Sequence, residues 1–204
     1  MNSVGKVDEK TSKVPIVVEE EVLELCARGD RRAQNRLYTE CYSFMMRICI
    51  RYVTSRDDAE DLLNRSFLKV LNGIAKRKKD VPFGLWLRRI TINTVIDEFR
   101  KNKVRQSHTD VVDFSESATE YDTVSVNGYL EKMESEQVQA LINQLPPMSR
   151  QVFNLYIMDG YNHKEIATML GISEGTSKWH LNNARTRLKE QVHKLLPFIK
   201  SFAS

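Results

Sequence analysis

The chain has 204 residues, 41% apolar, 28% charged and 8% aromatic, with a formal net charge of +4. That apolar share excludes wholesale disorder, and 8 Gly with 5 Pro exclude collagen-like or low-complexity character. Charges break every apolar run short of the roughly 20 residues a membrane helix needs. The polar stretch Met1 to Lys13 has nothing like the apolar core of a signal peptide. Three cysteines, Cys26, Cys41 and Cys49, are an odd number and argue for a reducing compartment. The expected location is cytoplasmic, with no membrane insertion.

Val22, Leu25 and Cys26, then Leu37, Cys41, Phe44, Met45, Ile48 and Tyr52, recur at helical spacing, and Gly29-Asp30 separates two helices. Ser55 followed by Asp58 has the form of a capping box, opening a helix from about Arg56 to Gly73. The stretch from Ala75 to Val81 has no apolar pattern. After Pro82 a helix is expected from Phe83 to about Lys101, with an inward stripe of Leu85, Ile92, Ile96 and Phe99 flanked by Trp86, Ile90 and Val95. These elements make a four-helix, all-α domain. From about Asn102 to Gly128 the periodicity stops, marking a linker longer than compact domains usually hold. Further helices are expected over Tyr129 to Gln144 and, after Pro146-Pro147, from about Ser149 to Met158. A short helix capped by Asn162 and Glu165 ends at Gly171, and a last one runs from Glu174 to about Leu195. No strand pattern persists. The fold class is all-α: two helical domains joined by a flexible acidic linker.

Charge follows this division. Lys76 to Arg105 carries a local net charge of +7, Gln106 to Glu136 one of −7, and Glu174 to Lys194 one of +3. Two basic blocks on patterned helices suit nucleic acid, although solvated helix faces would carry charge as well.

Within His163 to Leu181, two helices meet at the tight turn Gly171-Ile172-Ser173, with Ala167 small where they cross. That is helix-turn-helix spacing. Leu181, Ala184 and Leu188 point the second helix into a core. Its other face carries Lys178, Asn182, Asn183, Arg185 and Lys189, in which basic groups suit phosphates and asparagine can bond adenine bidentately. In the helix after Pro82, Arg89, Asn93, Asp97 and Arg100 or Lys101 share a polar face, and the loop before it adds Lys76, Arg77, Lys78 and Lys79. Backbone-tracking charge beside an amide suits single-stranded or melting DNA. Trp86 could stack on a base, but its spacing favours core. In Asp57-Asp58-Ala59-Glu60-Asp61-Leu62, acids in the first turn complement the helix dipole, and a dock for a basic protein partner is an equal reading. Enzymatic patterns are missing: the cysteines lie 15 and 8 residues apart, four His are scattered, and no phosphate-binding glycine loop occurs. No cofactor, metal or catalytic residue is expected.

Four motifs stand in one order along the chain: Asp58-Ala59-Glu60-Asp61-Leu62, the run Trp86 to Asn93, Leu145-Pro146-Pro147, and Gly171 to Thr176 followed by Leu181, Ala184-Arg185 and Leu188. Over about Glu19 to Leu195 the chain resembles a bacterial RNA polymerase sigma factor of the extracytoplasmic-function type. The resemblance implies a region 2 domain over 19–103, a linker over 104–128 and a region 4 helix-turn-helix domain over 129–196, with tails over 1–18 and 197–204. It implies that region 2 docks on the β′ coiled coil of core RNA polymerase through Asp57, Asp58, Glu60, Asp61, Leu62 and Phe67. It implies minus-ten recognition and promoter melting by Lys76, Arg77, Lys78, Lys79, Arg89, Asn93, Arg100 and Lys101, with Asn93 at the extruded base. Region 4 would sit on the β flap and read the minus-thirty-five element with Lys178, Trp179, Asn182, Asn183, Arg185, Arg187 and Lys189. The acidic linker would thread near the active-site and RNA-exit channels. An anti-sigma factor is a further partner class the resemblance allows. The chain departs from the family's pattern at Asn64-Arg65-Ser66, Ser177, Trp179 and Asn182-Asn183. The alternative reading is a stand-alone helix-turn-helix regulator, which would bind duplex specifically without polymerase. A polymerase-independent adaptor would bind protein and no specific DNA.

Overall fold

The computed structural model describes residues 16–106 and 135–202. Most of the expected linker, the expected helix start at 129–134 and most of the N-terminal tail lie outside them. Every regular element among the described residues is helical, and the chain divides into two compact units, one built from residues 12–110 and the other containing 111–204.

The first unit holds four α-helices. α1 (Glu20–Ala27) ends near Gly29, whose φ of 84° lets the chain reverse. Asp30 then accepts a hydrogen bond from the Ala33 amide at 2.8 Å and starts α2 (Arg31–Cys49). Ser55 Oγ accepts from the Asp58 amide at 3.4 Å to open α3 (Arg56–Gly73). The expected capping box stays half-made: no return bond from Asp58 occurs among the described residues, because Asp is one methylene shorter than the Glu that closes such a box. A 3-10 turn at Ile74–Lys76 leads to α4 (Phe83–Gln106).

Leu37, Cys41, Met45 and Cys49, four residues apart on α2, are completely buried. They pack in one core with Leu63 and Val70 of α3 and Leu87 and Ile92 of α4. Each such side chain contributes roughly 1.5–3 kcal/mol of burial. The stripe expected on α4 requires correction. Leu85 is 51% exposed, whereas Phe83, Leu87, Thr91 and Thr94 are buried along with Ile92, Val95 and Ile96. Leu85 and Leu87 lie about 200° apart around a helix, so only one of them can face a given neighbour. α4 packs against both α2 and α3, and its buried face is wider from Thr91 to Ile96 than over its first turns. Thr91 and Thr94 fit this core because their hydroxyls donate back to the Leu87 and Ile90 carbonyls. Trp86 is half-buried. A Cβ on Gly73 would come within 3.3 Å of its ring, so that glycine gives the indole room at the end of α3.

The second unit holds α5 (Ser135–Asn143), α6 (Pro147–Phe153), α7 (His163–Leu170) and α8 (Glu174–Phe202). α6 begins two residues earlier than expected, because Pro147 occupies its first turn, where no amide donor is required. It passes into a π-helical turn, Asn154–Met158. A complete capping box opens α7: Glu165 N donates to Asn162 Oδ1 at 3.0 Å and Asn162 N to Glu165 Oε2 at 2.9 Å. Gly171, at φ 65°, ends α7, and Ile172 N returns to the Ala167 carbonyl at 3.1 Å. α8 extends past the expected end near Leu195, reaching Phe202. Ile142, Val152, Phe153, Leu155, Ile166, Ala184 and Leu188 form this unit's core.

Candidate nucleic-acid and polymerase interfaces

In the first unit, α4 presents Arg89, Asn93, Asp97, Arg100 and Lys101 to solvent at three- and four-residue steps. Asp97 pairs with Lys69 of α3 at 3.1 Å, so the negative charge within this strip is locally neutralised. The preceding loop is less uniform than its sequence. Lys76 and Lys78 are exposed. The Arg77 side chain is only 5% exposed; it donates to both carboxylate oxygens of Glu20 and, at 2.9 Å, to the Val81 carbonyl. Lys79 reaches Glu24 at 2.9 Å, which raises the lysine's pKa and lowers the glutamate's. Of four consecutive cations, two therefore spend their charge on α1.

On α3 the acidic cluster is likewise divided. Asp57 and Asp58 are exposed at the helix N-terminus. Glu60 accepts from the Tyr42 hydroxyl and from Arg56, each at 3.2 Å, while Asp61 accepts from Arg65 at 3.3 Å. Arg65 also reaches Glu98 of α4 at 2.6 Å, tying the two helices together. Leu62 and Phe67 are 3% and 8% exposed and belong to the core. Phe67 packs edge-on against Tyr38, whose hydroxyl donates to Asn64.

In the second unit α7, the Gly171 turn and α8 form a helix-turn-helix. Lys178 and Arg187 are exposed, while Trp179, Asn182, Asn183, Arg185 and Lys189 are half-buried along the outer part of α8. Trp179 meets His180 edge-on. Arg185 lies 6.0 Å from the centre of the Tyr156 ring, in cation-π range, and Tyr156 stacks on His163 at 4.6 Å. His163 Nδ1 is 2.9 Å from the hydroxyl of buried Ser177, and the imidazole itself is half-buried between α7 and α8. Burial, helped by Lys178 and Arg185, holds this imidazole below its ordinary range. Lys178 and Arg185 thus flank one side of α8, whereas Asn183 and Arg187 hydrogen-bond to each other on the other.

Residues 37–105 match the family profile described as Sigma-70 region 2, and residues 135–188 match Sigma-70, region 4. The chain belongs to the sigma-70 family. SigW, an ECF RNA polymerase sigma factor of Bacillus subtilis, is 29% identical over 174 residues, which cover 82% of this chain and 93% of that one. The Probable RNA polymerase sigma factor RfaY of Xanthomonas campestris is 24% identical over 167 residues; they cover 81% of this chain but only 42% of the relative's own length. The solved sigma factor RpoE, in complex with the anti-sigma factor NepR from Bartonella quintana, is 19% identical with a TM-score of 0.48, covering 78% of this chain and 96% of that one. Region 2 falls in the first compact unit and region 4 in the second. The protein is an RNA polymerase sigma factor of the extracytoplasmic-function type, which directs the polymerase to promoters.

Several residues that pack around α8 of this sigma factor escape sequence reasoning: Ser149, Tyr156, His163 and His180. Ser149 Oγ lies 3.0 Å from His180 Nδ1 and donates to Asn183 Oδ1 at 3.3 Å. One signal was present. Ser177 stands four residues before Leu181 on the apolar side of α8, and a serine there requires a buried partner; His163 is that partner.

Proposed function

We propose that region 2 docks on the β′ coiled coil of core polymerase through the exposed end of α3, captures an unstacked minus-ten base with Asn93, and so nucleates melting. Region 4 then sits on the β flap with α8 in the major groove of the minus-thirty-five element. The observation that carries this reading is the α4 strip, where exposed Arg89, Arg100 and Lys101 bracket the Asn93 amide and the pairing of Asp97 with Lys69 removes the one opposing charge. Cations there track phosphates while the amide is available to a base edge. Lys76 and Lys78 extend the positive surface; Arg77 and Lys79 hold the loop against α1. On α8, Lys178, Trp179 and Asn182 approach bases, and Arg187 and Lys189 approach phosphates as the helix leaves the groove. The chain performs no chemistry of its own and acts in the cytoplasm with the polymerase.

Run-off transcription with core polymerase and the full chain on genomic promoters tests the whole reading. Specific initiation that depends on both proteins is expected, with Asn93→Ala forming closed complexes but fewer permanganate-reactive open ones. Tight, specific duplex binding by the chain alone, with no stimulation of core polymerase, would instead establish a free-standing regulator.

A further inference from the structure

Asn182 and Asn183 are adjacent and chemically identical, yet α8 treats them differently. The described residues make no hydrogen bond to the Asn182 amide, which is free to turn either its oxygen or its nitrogen outward. Asn183 is held. Its Oδ1 accepts from Arg187 Nε at 3.2 Å and from Ser149 Oγ at 3.3 Å. An arginine Nε can only donate, so the atom facing it must be the amide oxygen, and both lone pairs of that oxygen are occupied. Ser149 has one proton to give. When it goes to Asn183, His180 must carry its own proton on Nδ1 and donate it to Ser149 Oγ across 3.0 Å. The relay from His180 through Ser149 to Asn183 starts in the buried core, because Ser149 is 1% and His180 7% exposed. Among the described residues the Asn183 nitrogen carries no hydrogen bond, and half-buried Asn183 stands between Trp179 and exposed Thr186 on the outer part of α8.

We propose that Asn183 meets the promoter as a hydrogen-bond donor only, its oxygen held inward by Ser149 and Arg187, and that it selects guanine over adenine in the minus-thirty-five element. Guanine offers two major-groove acceptors, N7 and O6. Adenine offers one acceptor and an amino group that needs an acceptor in return, and Asn183 has none left to give. The usual bidentate bond from asparagine to adenine therefore falls to Asn182. Ser149 and Arg187 are positioning residues, acting on DNA through the orientation of the Asn183 amide.

This inference rests on α8 being the reading helix, and the experiment separates the two. Holoenzyme assembled from core polymerase and the full chain is measured for affinity across a minus-thirty-five substitution library, as wild type and as Asn182→Ala, Asn183→Ala, Asn183→Asp and Arg187→Ala. Asn183→Ala is expected to flatten one base pair at which the wild type prefers guanine to adenine by about tenfold or more. Asn183→Asp keeps an acceptor for Ser149 and Arg187 but turns a carboxylate oxygen outward, so preference at that pair should move toward cytosine, whose amino group donates. Arg187→Ala removes a phosphate contact and lowers affinity for all sequences, but it also frees one lone pair and lets the amide turn over, narrowing the guanine–adenine gap at the same pair; a uniform loss with that gap unchanged would overturn the positioning role. The proposal is overturned if the pair flattened by Asn183→Ala prefers adenine, or if that variant weakens every sequence equally. If Asn182→Ala flattens a pair and Asn183→Ala none, α8 still reads DNA and only this inference fails. If the wild type shows no minus-thirty-five preference, the groove reading falls and takes the inference with it.

Discussion

The Arg77 guanidinium, in a side chain only 5% exposed, donates to both carboxylate oxygens of Glu20, 57 residues earlier, at 2.8 and 2.6 Å. It stands between two lysines in a run of four cations, and its neighbour Lys78 is exposed. The same charge on adjacent residues thus serves two ends, one fastening the loop to α1 and one facing solvent.

Arg77→Ala should lower the stability of region 2 by roughly 1–2 kcal/mol, the range for a charge-assisted hydrogen bond whose partner is half-exposed. Lys78→Ala should leave stability within about 0.5 kcal/mol. It should instead reduce the slope of log promoter affinity against log salt by about one unit. Urea midpoints and holoenzyme binding at several salt concentrations measure both. Equal effects of the two substitutions on the salt slope would contradict this division.

The acidic end of α3 should behave in the same divided way. Asp57 and Asp58 are exposed, whereas Asp61 is paired with Arg65. Replacing Asp57 and Asp58 together by Asn should weaken competitive binding to core polymerase and its salt dependence. Asp61→Asn should have a smaller effect, because Arg65 already neutralises that carboxylate in the free protein. Indistinguishable affinities for all three proteins would remove α3 from the polymerase interface.

His163 gives region 4 an acid-sensitive contact. Burial, with Lys178 and Arg185 nearby, lowers its folded pKa below the unfolded value near 6.5, while Glu174 opposes the shift weakly. The unfolded state therefore binds the proton more readily, and the stability is intact above about pH 6.5 and lost as pH falls below it. With Trp86 replaced by Phe, Trp179 is the sole indole and reports on region 4 alone. Its thermal transition should fall between pH 7.5 and 5.5, and His163→Gln should flatten that dependence. An unchanged slope in the Gln variant would assign the acid sensitivity to another group.

The cysteines should be silent toward thiol reagents. Burial pushes the Cys41 and Cys49 thiols up to about 12 and raises Cys26 as well. Only the thiolate reacts, so native protein at pH 8 should label very slowly and denatured protein at all three positions. Rapid native labelling would show that α1 or α2 opens readily.

Sequence periodicity located the helices because apolar spacing, caps and helix-ending glycines act within a turn or two of the chain. Leu37, Cys41 and Met45, the Asn162–Glu165 box and the Gly171 turn are all of this kind, and the order of motifs was enough to indicate a sigma factor. Periodicity did not say which leucine of α4 points inward. Leu85 and Leu87 have the same hydrophobicity, and the choice belongs to the helices packed against them. Nor could it assign Leu62 and Phe67 to the core rather than the surface of α3.

The amino-acid sequence by itself determined the kinds of group on each helix and their spacing along it: the acids opening α3, the Arg89–Asn93–Arg100 strip and the two asparagines of α8. Only the tertiary structure decided which of those groups remain available to a partner. Hydrogen bonds and ion pairs join residues distant in the chain, so Glu20 takes Arg77, Glu98 takes Arg65, and Ser149 takes the oxygen of Asn183. A charge or amide used inside the protein has less left to offer polymerase or DNA, and that use is a property of the packed helices, which no local pattern encodes.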